Sequence, residues 1–159
     1  MNPSWSERPR EHAALFNPAF LAIIIGSAAK GAQDAGGLSW PLAFLVAPLV
    51  LPTATRSLLP LSTTTSTATW LARHPQLRLG LADHAAELSG MTREGIAVAL
   101  SSGAVSVAEG RLEFVKLKSR PAKLTEEAIA CIKASEKVGK WLAKSPDVAN
   151  TLSRFGVAP

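Results

Sequence analysis

Few side chains in this 159-residue chain have the type and spacing that catalysis needs. Its histidines are His12, His74 and His84, and its one cysteine is Cys131. None of them pairs at a spacing that holds zinc. His84 follows Asp83, but adjacent residues on a helix point apart, so they read as separate surface groups. The serines and threonines form no Gly-x-Ser-x-Gly elbow and no Ser-x-x-Lys followed by the other penicillin-binding motifs. Gly26-Ser27-Ala28-Ala29-Lys30-Gly31 has a phosphate loop's composition, but the glycine spacing is wrong and no strand precedes it. The expectation is a non-catalytic protein with no cofactor and no metal.

What remains is cationic. The formal net charge is +5, which permits nucleic acid or an acidic protein as partner without demanding either. Arg111, Lys116, Lys118, Arg120 and Lys123 cluster in sequence and are the candidates for phosphate contact. Lys133, Lys137, Lys140 and Lys144 recur at helical spacing and read as a solvated face. Base recognition needs forked side chains. The helix that would supply them offers only Arg93, Glu94, Ser101 and Ser102, so any DNA contact should be independent of sequence.

The elements that must position these groups are mostly helical. Residues 1–12 are polar and read as a loosely held arm. Asn17 and Pro18 announce a helix to about Ala32, apolar around most of its circumference and therefore central. A loop at 33–37 leads to Ser39, a cap for the block at 41–60 around which the chain is organised. Leu42, Phe44, Leu45, Val46, Leu49, Val50 and Leu51 make that block too apolar to face water. It is also shorter than the about 20 residues a membrane span needs. Pro48 would kink a helix there. The block is either a core helix or a partner-binding surface.

The Thr- and Ser-rich run at 53–69 is punctuated by Leu58, Leu59 and Leu61, which argues against a solvated linker. A cap near 62–64 should start a helix through about Arg73. Residues 77–88 read as a helix, Ser89-Gly90 as a turn, and Thr92 as the cap of a second helix with a Met91–Ile96 staple. The period then switches to two. Val105 and Val107, a turn at 108–110, then Leu112 and Phe114 make a hairpin.

Helix, turn, helix, hairpin is the order of a winged helix. The fold class expected is mainly α (α+β). It is one domain, with a helical half at 13–75, a winged-helix-like unit at 76–120 and C-terminal helices at 121–159. Thr125 caps a long helix to about Lys144, and 145–147 restart a short last one. The lone cysteine, the missing signal peptide and the missing membrane span fit the cytoplasm and no membrane partner.

Several of these residues also carry a family resemblance. They are Asn17-Pro18-Ala19-Phe20, Trp40-Pro41-Leu42-Ala43-Phe44-Leu45-Val46, Thr55-Arg56-Ser57-Leu58-Leu59-Pro60, Trp70-Leu71 and Phe155-Gly156-Val157-Ala158-Pro159. In their order and spacing the chain resembles the middle component of bacterial three-component ABC systems, encoded beside an SMC/Rad50-like ABC ATPase and a third subunit. The resemblance implies an adaptor joining that ATPase to an effector subunit in Lamassu-like defence against phages or plasmids. The partner-interface candidates are Phe44, Leu45, Arg56, Trp70, Trp141 and Phe155. The competing reading is a winged-helix DNA-binding transcriptional regulator.

Overall fold

The computed structural model describes residues 17–117 and 124–158. The elements are α1 (Pro18–Gly31), β1 (Leu38–Ser39), α2 (Ala43–Val50), α3 (Thr53–Ser57), α4 (Thr67–Arg73) and α5 (Leu77–Ser101), then β2 (Val105–Ala108), β3 (Arg111–Phe114), α6 (Glu126–Ala143) and α7 (Val148–Arg154). Short 3-10 turns at Gln33–Ala35 and Trp40–Leu42 flank β1.

α1 is the central helix, as its all-round apolar character requires, and it packs against both α5 and α6. Its start is built as the sequence indicates: Asn17 Oδ1 accepts from Ala19 N–H at 2.8 Å, and Pro18 occupies the first turn. α1 crosses α6 on small residues. A Cβ on Gly139 would overlap the Ala28 backbone, and one on Gly31 would overlap the Glu136 carbonyl. The crossing is therefore a backbone approach that admits no side chain at either position.

The block at 41–60 forms the 3-10 turn, α2 and α3. Leu45, Leu49 and Val50 have no exposed surface, which puts these residues in the core of this chain. Pro48 lies inside α2, so Phe44 loses the amide that would otherwise bond its carbonyl. Ser39 makes no side-chain cap there. The cap of α4 is Ser66, whose Oγ accepts from Thr69 N–H, slightly beyond the expected 62–64. Thr125 and Asp147 cap α6 and α7.

Two findings correct the sequence reading. The first concerns the helix-turn-helix. Residues 77–101 form one 25-residue helix with no turn at Ser89-Gly90. Ser89 Oγ bonds back to the Ala86 carbonyl, a geometry a helix accommodates. A mid-helix glycine costs only about 1 kcal/mol, and burial on both sides outweighs it. Leu88 joins Leu21 and Ala47 in one cluster, and Thr92 is buried within the helix instead of capping one. The expected helix-turn-helix therefore has no turn between its two helices.

The second finding concerns the sheet. The expected hairpin forms, with Val105 opposite Phe114; Ala108, expected in the turn, instead ends β2 opposite Arg111. Glu109 and Gly110 both take positive φ, 52° and 74°, as a tight two-residue hairpin turn requires. A third strand, β1, pairs with β3 through Leu38–Leu112 and Ser39–Arg111, giving the order β1-β3-β2. Val105, Leu112 and Leu38 bury the inner face. Among the described residues no helix is long and apolar enough to cross a membrane.

Candidate functional site

Arg56 bonds to both the organising block and the last long helix. It follows α2 in the short helix α3 and folds back onto its end. Nη1 donates to the Val50 carbonyl at 2.7 Å and the Leu51 carbonyl at 3.2 Å, capping carbonyls that α2 leaves open. The same nitrogen lies 3.3 Å from Cys131 Sγ on α6. Nη2 bonds Glu127 Oε1 at 2.7 Å, also on α6. The guanidinium thus ties the organising block to the last long helix. Glu127 is 52% exposed, so the ion pair itself adds little and the buried carbonyl bonds carry the effect.

Burial pushes the Cys131 thiol above its ordinary range, against the opposing pull of the Arg56 guanidinium. A protonated, buried thiol is a packing group, not a nucleophile. A cavity of about 310 Å³ adjoins this node, lined by Phe20, Leu51, His84, Leu88 and Cys131 among others. His84 and Cys131 share it without a hydrogen bond between them, so no acid–base pair is assembled there. Among the described residues no cluster of His, Cys, Asp or Glu is placed to hold a metal.

The aromatic candidates separate into two groups. Trp70 on α4, Trp141 on α6 and Phe155 just after α7 pack together. Trp70 meets Trp141 edge-on at 5.4 Å between ring centres, and Trp141 meets Phe155 at 6.5 Å. All three are buried. Trp70 Nε1 donates to the Leu58 carbonyl and Trp141 Nε1 to the Thr65 carbonyl. Their surfaces, like that of Leu45, are already occupied by this chain's own residues.

Phe44 differs. It is half-buried and meets Trp40 edge-on at 6.2 Å, while Trp40 is 51% exposed. Trp40 is fixed where β1 ends, because its N–H donates to the Gly110 carbonyl in the hairpin turn. Sequence reasoning chose Phe44 and passed over Trp40. The signal was the Trp40-Pro41 start of the organising block.

Of the basic candidates, the structure describes Arg111 and Lys116. Arg111 Nη1 donates to the carbonyls of Ala35 and Gly37, holding the turn that precedes β1. Lys116 is exposed beyond β3. Lys118, Arg120 and Lys123 lie outside the described residues.

These arrangements define a small, mainly helical protein with a three-stranded antiparallel sheet. The family model for the ABC-three component (ABC-3C) system Middle Component 3 matches residues 5–159, and the chain belongs to that family. No curated protein and no solved structure matches it.

Proposed function

We propose that this chain is a non-catalytic adaptor, joining an SMC/Rad50-like ABC ATPase to an effector subunit in a prokaryotic system that acts against phages or plasmids. Membership of a middle-component family supports a role among other subunits. The observation that carries the reading further is the Trp40–Phe44 pair. Rigidly placed aromatic side chains with one face in water are the usual anchors of protein interfaces. Trp40, 51% exposed at the rim of the sheet, is such an anchor. Any DNA contact belongs to the assembled complex and is independent of sequence. The regulator reading loses support with the continuous α5.

The test is co-expression with the neighbouring genes. A tagged chain should bring down a long coiled-coil ATPase and a third subunit in one complex. Nucleotide turnover should reside in the ATPase and be absent from the chain alone. Purification of the chain by itself under all conditions, or robust turnover by the isolated chain, overturns the proposal.

A further inference from the structure

The connection between α3 and α4 is held at both ends by indoles, through the Leu58 and Thr65 carbonyls. Between them Pro60 is buried, and Lys144 Nζ donates to Thr63 Oγ1 at 3.0 Å. A loop fixed at these points presents Leu61 with its side chain wholly in water, 100% exposed. A single exposed leucine is unremarkable by itself. This one lines an open groove of about 680 Å³ together with Lys30, Lys133, Lys137 and Lys140.

The charges there are unbalanced. Four lysines line it against two carboxylates, Asp34 and Glu136, and Glu136 is 3.8 Å from Lys30. Among the described residues Lys133, Lys137 and Lys140 have no ion-pair partner. They sit at i, i+4 and i+7 on α6, a stripe about 10 Å long.

We infer that this groove docks an acidic segment of another protein of the three-component system, one that carries an apolar residue to cover Leu61. Carboxylates on the segment pair with the ammonium stripe, and the leucine supplies the apolar anchor. A nucleic acid backbone matches the lysines but leaves Leu61 in water, so the mixed character favours protein. The inference rests on the adaptor reading and adds a second docking surface to the one at Trp40.

The probes are the two companion subunits, purified and titrated separately against the full chain, with a short DNA duplex as a third. The variants are Lys133→Glu/Lys137→Glu/Lys140→Glu together, and Leu61→Asp alone. All four side chains are exposed or half-buried, and melting curves check that both variants fold. One companion subunit should lose about tenfold or more in affinity with either variant. Its binding to wild type should weaken as salt rises. Binding of wild type to a subunit with neither variant reducing it overturns the groove and leaves the adaptor reading standing. Duplex binding that depends on the lysines and ignores Leu61, with subunit binding unaffected, assigns the stripe to nucleic acid and overturns it too. Failure of wild type to bind either subunit overturns the adaptor reading itself.

Discussion

Trp141 and Trp40 are chemically identical and sit in opposite surroundings. Trp141 is 2% exposed, stacks edge-on against Trp70 and Phe155, and donates its indole N–H to the Thr65 carbonyl. Trp40 is 51% exposed and, among the described residues, has one aromatic neighbour, Phe44. The first fastens the Thr-rich connection onto α6 and contributes stability. The second is fixed by its backbone and leaves its ring available. The difference is not in the residue but in whether a distant segment arrives to cover it. An aromatic residue named from sequence as a partner contact must therefore be placed in the fold before its role is known.

The largest effect should come from the buried side. Leu45→Asp sets an unpaired carboxylate where no surface is exposed. The cost of several kcal/mol approaches the whole stability of a small domain. The variant should be unfolded or insoluble, read by circular dichroism. A normal melt would mean that the organising block is not core.

Trp141→Ala comes next. It empties the aromatic cluster and leaves the Thr65 carbonyl without its donor. The expected loss is about 3–5 kcal/mol by chemical denaturation. Arg56→Ala removes the caps of the α2 carbonyls and the tie to α6, at about 1–3 kcal/mol. Arg56→Lys should recover little, because one ammonium cannot reproduce the fork. Full recovery by Lys would reduce Arg56 to a simple charge.

A smaller effect concerns pH. Burial raises the folded-state pKa of Cys131, so the folded thiol keeps its proton to higher pH than the unfolded one. This contribution to stability is complete below the unfolded pKa of about 8.5 and is lost as pH rises through the folded value. The sequence contains no tyrosine to titrate in that window. The melting temperature should fall as pH rises above about 8.5, and Cys131→Ala should flatten that fall. An identical slope in the variant removes the thiol from the explanation.

Much of the fold was legible because its signals are local. Asn17-Pro18 and Thr125 cap α1 and α6, and the alternation through 105–114 gives the hairpin. The two larger misreadings were both set by distant residues. Ser89-Gly90 has the composition of a turn, and only packing such as Leu88 against Leu21 and Ala47 keeps α5 continuous. β1 is two residues long and exists because β3, far along the chain, pairs with it. The candidate site followed the same division. Phe44 was identifiable as part of a sequence block, whereas the exposure of Trp40 depends on where the hairpin turn lies.

The most direct test pairs the two tryptophans. Trp40→Ala and Trp141→Ala are each melted alone and then tested for co-purification with the proposed ATPase partner. Trp40→Ala should change stability by no more than about 0.5 kcal/mol and lose the ATPase. Trp141→Ala should lose stability first. A Trp40→Ala variant that melts markedly lower, or that folds normally and still retains the ATPase, contradicts the division of labour between the buried cluster and the exposed edge.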